Sequence, residues 1–343
     1  MMRLPLSWLL AFTTVALALL LLGSLATGPM TLTLGESLRA LFAGQESGIE
    51  SHKLLIVQEI RLPRTLLCIA VGGILGLCGA VMQGLFRNPL ADPGIIGVSG
   101  GAALGAALAI VLLAPLGQQL QATIGVGLLP LLAFLGGALT TTLVYLLGTR
   151  EGGTSVTVML LAGVAITALS GAVIGLLTYL ADDQMLRNLS LWQMGTLAAG
   201  KPADVALALL TLAALLWLFM RDANPLNALL LGEGEARHLG VNVQSLKRRL
   251  ILLTAAGVGV AVAVSGMIGF VGLVVPHLVR LLAGPNHVRL LPLSALLGAA
   301  LLLAADMLAR TLLAPAELPV GIITALLGAP FFIWLLVKGR RAL

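Results

Sequence analysis

Residues 88–105 read NPLADPGIIGVSGGAALG, two prolines and five glycines set between long apolar runs. The proline ring pushes the residue before it out of helical geometry, so Asn88-Pro89 and Asp92-Pro93 force the chain to turn. Directly afterwards Gly97, Gly101 and Gly105 recur every four residues, which leaves one face of the next helix almost bare backbone. A hard turn followed by a smooth helix is a candidate moving gate beside a pathway if the flanking runs lie in a membrane.

Composition places them there. The chain is 59% hydrophobic and 10% charged, with a mean hydropathy of +1.07, far from a soluble globular domain. Apolar runs of roughly 18 or more residues read as membrane-spanning helices. Such runs fall near 5–27, 63–85, 95–115, 124–148, 156–180, 203–220, 250–270, 290–308 and 319–337, with a shorter piece at 271–283. The fold expected is therefore all-α: a polytopic membrane protein of about ten transmembrane helices, one domain over residues 1–343. The first run has two marks of a signal peptide, Arg3 ahead of it and a small-x-small triplet at Ser24-Leu25-Ala26. Its core is longer than the roughly 7–15 residues of a signal h-region and more spans follow, so it reads as an uncleaved first helix.

Charge sets the orientation. With ten spans both termini share a side, and the 20 Lys and Arg residues divide unequally. Arg39, Lys53, Arg61, Arg64, Arg187, Lys201 and Arg310 fall on one side; the others, Arg3, Glu-flanked Arg150 and Arg341 among them, fall on the opposite side. The positive-inside rule makes the richer side, and both termini, cytoplasmic. The net charge of +6 is thus a topology signal and implies no nucleic-acid partner.

Three segments lie outside the spans. Residues 28–60 are external, with Leu34, Leu38, Leu41 and Phe42 at helical spacing for an interfacial amphipathic helix and a polar loop from Gly44 to Ser51. Residues 181–202 form a second external segment, amphipathic around Leu189 to Met194. Residues 221–249 form the longest cytoplasmic stretch. Within it Leu229 to Gly232 ends one helix, and Glu233 to Leu239 forms a second before Gly240 stops it. Small residues also ladder the second, third and fifth spans (Gly72, Gly76, Ala80, Gly84; Gly97, Gly101, Gly105, Ala109; Gly163, Thr167, Gly171, Gly175). Close helix packing explains most of them, and a weakly featured pathway is the other reading.

Several chemistries find no residues. A phosphate-cradling loop needs Gly-Lys followed by Ser or Thr, whereas the sole Gly-Lys pair, Gly200-Lys201, precedes Pro202. No ATP hydrolysis, catalytic residue or cofactor is expected of this chain. Cys68 and Cys78 lie ten residues apart on one helix, about 15 Å along the axis, beyond disulfide reach. They read as packing residues, and no spacing resembles a metal site. An ion-coupled carrier, the alternative from another class, would place ionisable groups inside its spans. These interiors are nearly free of them, and Asp306 with Arg310 reads as an i,i+4 pair worth a few tenths of a kcal/mol. His277 reads as a histidine satisfied by backbone, His238 and His287 as solvated, and His52 as part of the outer loop. Arg61, Arg64 and Arg310 border outer helix ends, where three arginines suit a carboxylate-bearing partner.

Five stretches in order carry a resemblance: RLPR at Arg61–Arg64, GAVMQGLFRNPLADPGIIGVSGGAALG at Gly79–Gly105, LGEGEARHLGV at Leu231–Val241, GMIGFVGLVVPHLVRLLAGPNH from Gly266, and AELPVGIITALLGAPFFIWLL from Ala316. Together they resemble the permease subunits of the FecCD type, from bacterial ABC importers of iron-siderophores, haem and cobalamin. The resemblance implies a type II ABC importer permease in the bacterial inner membrane, a homodimer around a central pathway. It implies two cytoplasmic ATP-binding subunits and a periplasmic substrate-binding protein as partners, with segments 28–60 and 181–202 periplasmic. Arg61, Arg64 and Arg310 would meet that binding protein, and Asn88, Pro89 and Leu90 would contribute to a cytoplasmic gate. Leu231, Gly232, Glu233, Glu235, Ala236, Leu239 and Gly240 would couple to the ATPase. The cargo expected is an iron complex, siderophore or haem, with cobalamin second.

Overall fold

The second apolar run makes the central helix. A computed structural model describes residues 5–42, 50–113, 127–150, 153–198 and 200–340. The expected polar loop from Gly44 lies, apart from Glu50 and Ser51, outside the described residues, as do Arg3, Glu151 and Arg341. In chain order the helices are α1 (Leu6–Ala26), α2 (Leu34–Phe42), α3 (Ser51–Leu85), α4 (Val98–Val111), α5 (Leu128–Gly148), α6 (Val156–Leu180) and α7 (Asp183–Gln193). There follow α8 (Pro202–Arg221), α9 (Ala223–Leu231), α10 (Glu233–His238), α11 (Val243–Ser265), α12 (Val271–Ala283), α13 (His287–Thr311) and α14 (Val320–Arg340). Seven of these are long and apolar enough to cross a membrane, and α4, α12 and the apolar part of α14 are shorter apolar helices. These ten coincide in position with the ten runs read from the sequence. One small departure from an all-α chain is a two-residue hairpin, β1 (Thr149–Arg150) with β2 (Gly153–Thr154).

Helix boundaries differ from the apolar runs where polar residues continue a helix. The second span was expected to open at Pro63, but α3 begins at Ser51, and His52 belongs to its first turn. Proline offers no N–H and crowds the carbonyl four residues back, and the widened π-turn at Ile56–Arg61 accommodates it. Similarly α11 starts at Val243 because Lys247, Arg248 and Arg249 are good helix formers. It ends at Gly266, φ +68, several residues before the apolar run does.

From Leu67 to Leu85 nearly every residue of α3 is buried, as expected for a helix apolar on all sides and enclosed by others. The small-residue ladders explain how. A methyl group added at Gly72 would collide with Gly298 O, one at Gly76 with Ser294 O, and one at Gly298 with Gly72 O, so α3 and α13 touch backbone to backbone. Gly101 and Gly105 bring α4 against Gly136 and Leu132 of α5 in the same way. The packing reading therefore holds for the second and third spans. The fifth divides: Gly163 rests on Ile95 O, whereas Gly171 and Gly175 face open space.

Candidate functional site

At one end of the bundle four charged residues from two helices, α3 and α13, meet. Arg61, Arg64, Asp306 and Arg310 are 3%, 5%, 0% and 2% exposed, respectively. Arg64 Nε donates to Asp306 Oδ1 at 2.9 Å and Nη1 to Glu317 Oε2 at 2.7 Å. Arg310 Nε lies 3.0 Å from Asp306 Oδ2, and its Nη2 donates to Ser24 Oγ at 2.7 Å, which is also bonded to Thr65 Oγ1. Arg61 Nη1 donates to Leu25 O and Ala26 O at 2.7 and 2.8 Å, and Nη2 to Met30 O. The isolated i,i+4 pair of the sequence is thus corrected: Asp306 is a shared carboxylate between two arginines, and burial makes the loss of any one member costly. A buried acid does exist inside a span, and each of its oxygens lies within ion-pair distance of an arginine.

Arg61, Arg64 and Arg310 thus turn several of their donors to partners inside the chain. With Gly28, Met30, Ile60 and Glu317 they also line a depression of about 200 Å³. Glu317 stands at its edge, its side chain 35% exposed.

At the other end of α3 the turn has two parts. Helix α3 closes with Arg87 N donating to Gly84 O and Asn88 N to Gln83 O, the paired bonds of a Schellman cap. Arg87 occupies the left-handed position, φ +49, that glycine usually fills. Pro89 and Leu90 line one shallow depression with Leu273, Val274 and His277 of α12 and Phe331, Phe332 and Leu335 of α14. His277 is not satisfied by backbone: its ring packs edge-on to Phe331, and its buried Nδ1 has no partner among the described residues.

The second part re-enters the bundle. Pro93 and the α12 residue Gly272 approach within contact, and Gly272 lies against Leu75 O and Gly79 of α3. The chain has climbed back about 15 Å from Leu85, ten residues at helical rise. Non-helical backbone at that depth needs partners. Asp92 supplies one, its Oδ1 accepting from Gly94 N at 2.7 Å, and Thr140 Oγ1 donates to Gly97 O at 2.9 Å. Gly97, φ +84, reverses the chain into α4.

Residues 221–249 fold as α9, α10 and the start of α11, with Gly232 and Gly240 at positive φ as the breaks. Ala236 is buried, while Leu231 and Leu239 are 67% and 63% exposed. Beneath it Asp222 accepts both Arg249 Nε and Nη2. His287, expected in solvent, is buried: its Nδ1 lies 2.9 Å from Asn227 Oδ1 of α9, and its Nε2 presses on Gly84. Only a glycine at position 84 leaves room for that ring.

Residues 16–338 match the FecCD transport family model. The chain is 47% identical over 336 residues to the hemin transport system permease protein HmuU of Yersinia pestis, covering 97% of this chain and 96% of that relative. It is 44% identical over 297 residues to the cobalamin import system permease protein BtuC of Halobacterium salinarum, covering 87% of this chain and 77% of the relative. A solved structure described as an inward-facing conformation of a metal-chelate type ABC transporter superposes with a TM-score of 0.82 at 34% identity. That match spans 97% of this chain and 99% of the other.

Proposed function

The chain belongs to the FecCD transport family, and from that premise we propose that it is the membrane permease of an ATP-driven importer of haem. The single observation that carries the cargo is the 47% identity, end to end, to a hemin permease. The cobalamin relative at 44% makes cobalamin the second reading. In this proposal residues 1–343 form one transmembrane domain of ten spans in the inner membrane, with both termini cytoplasmic. Two copies enclose the pathway. Two ATP-binding subunits press on Leu231 to Gly240, and a periplasmic binding protein docks over Arg61, Arg64 and Arg310. The depression beside these arginines supports the docking role, because a partner carboxylate entering it meets Arg64 where Glu317 now stands. Asn88, Pro89 and Leu90 close the cytoplasmic end against α12 and α14, as their contacts favour.

Uptake into proteoliposomes holding the permease and its ATPase, with the cognate binding protein supplied, tests this. ATP-dependent accumulation of hemin, with cyanocobalamin left outside, is the expected result. Cyanocobalamin entering instead would replace the cargo, and neither entering would overturn the importer reading. Arg61→Glu and Arg64→Glu should weaken capture of the cognate binding protein by about tenfold or more. Unchanged capture by folded variants would remove these residues from docking.

A further inference from the structure

Lys247 is a buried lysine that no part of the transport reading uses. It sits on the second turn of α11, and its Nζ lies 2.6 Å from Glu233 Oε1 of α10. The same Nζ donates to Thr154 O at 3.1 Å, on the second strand of the hairpin that joins α5 to α6. Gln244, one turn earlier on the same face, accepts from Thr154 N at 3.1 Å and from Thr154 Oγ1 at 3.2 Å. Thus one face of α11 holds two elements that share no hydrogen bond among the described residues: the short helix α10 and the hairpin.

Thr154 is followed at once by Ser155, whose Oγ caps α6 at Val158 N. Helix α6 is a loosely held member of the bundle, with 22% of its apolar window buried against 89% for α3. One place where it does touch is Gly163, which rests on Ile95 O in the re-entrant turn, and another is Thr167 against Gly100. A continuous line of contacts therefore runs from α10 through Lys247 to Thr154, along α6, and into the turn after Pro93. A lysine suits the junction because its ammonium reaches a carboxylate and a carbonyl at once, which a hydrocarbon cannot.

We propose that Lys247 is a positioning residue that pins α10 to the α5–α6 hairpin, so that a push on α10 is delivered to α6 and the re-entrant turn. This rests on the reading of α10 as the element pressed by the ATPase, and it adds the path by which the push leaves that element. Lys247 touches neither cargo nor nucleotide. Its loss separates hydrolysis from movement and leaves both the ATPase and the bundle in place.

Lys247→Met is the direct test. Methionine keeps the apolar stem in place, and Glu233, 34% exposed, is left facing water and not stranded. Hydrogen exchange of the full chain in nanodiscs, with no partner present, should rise together in residues 153–155 and 233–239. In proteoliposomes with the ATPase and the cognate binding protein, hemin or cyanocobalamin moved per ATP hydrolysed should fall about tenfold at an unchanged melting midpoint. Lys247→Arg should restore most of both. The pin is overturned if exchange rises in one segment alone, or if the transport-to-hydrolysis ratio stays at the wild-type value. A wild-type chain that moves neither compound overturns the importer reading instead, and the exchange experiment still decides the pin. Should Lys247→Met fail to fold, Gln244→Leu cuts the same hairpin from α11 and carries the same two readouts.

Discussion

Charges gather at both ends of the molecule, and they are handled in opposite ways. At the arginine end Arg61, Arg64, Arg310 and Asp306 are withdrawn from solvent and answered within the chain by residues far away in sequence. At the end formed by α9 and α10 Arg237 is exposed, Leu231 and Leu239 stand in solvent, and the ordered contacts lie underneath the surface they present. A closed network contributes to stability, because each member removed strands another in low dielectric. An open surface on an internally braced platform contributes little to the isolated chain and leaves apolar area for another protein.

The contrast can be broken most directly at its strongest point. Asp306→Ala leaves Arg64 and Arg310 buried with one carboxylate fewer, and should cost about 3–5 kcal/mol, read as a lower melting midpoint of the purified chain. A midpoint equal to wild type would mean that the mouth is no more a stability element than the platform. Gly240→Pro comes next. The site needs φ +81 and its N–H donates to Arg237 O at 2.9 Å, and proline meets neither condition. A local loss of about 3 kcal/mol should unwind the end of α10 and reduce uptake, with the fold at the mouth intact. Wild-type uptake and hydrolysis together would deny the platform its coupling role. Smallest in stability is Leu239→Ser, expected within about 0.5 kcal/mol of wild type, yet it should weaken retention of the ATPase on an affinity column. Equal retention with equal stability would show the exposed leucines to be idle.

Much of this was legible because hydropathy and backbone chemistry are local. Ten apolar stretches announced ten helices, and Gly232 and Gly240 marked the ends of α10 to within about a residue. The turn was legible as a break but not as a re-entry. Its depth is set by Gly272 and Gly79, more than a hundred residues apart in one pair of contacts, and no window of sequence contains both. The arginines were legible as residues at helix ends, yet their partners were invisible for the same reason. Glu317 and Ser24 look like ordinary loop and helix-end residues until the chain brings them together. His287 illustrates the remaining miss: a histidine after Gly-Pro-Asn reads as solvated, and only the notch at Gly84 shows where its ring goes. One signal was available. An acid inside an otherwise apolar run, as at Asp306, seldom stands without a basic partner from another helix.

The mouth network also has a timetable. Arg64 leaves the ribosome 242 residues before Asp306 and 253 before Glu317. At synthesis rates of about 5–20 residues per second that gap lasts about 12–50 seconds. Throughout it Arg61 can already reach the carbonyls at the end of α1, but Arg64 has no carboxylate to meet. Six further apolar helices, α4, α5, α6, α8, α11 and α12, are therefore made before either carboxylate exists. The contact of α1 with α3 through Ser24 and Thr65 needs only the first quarter of the chain, whereas the ion pairs of Arg64 wait for its last tenth or so.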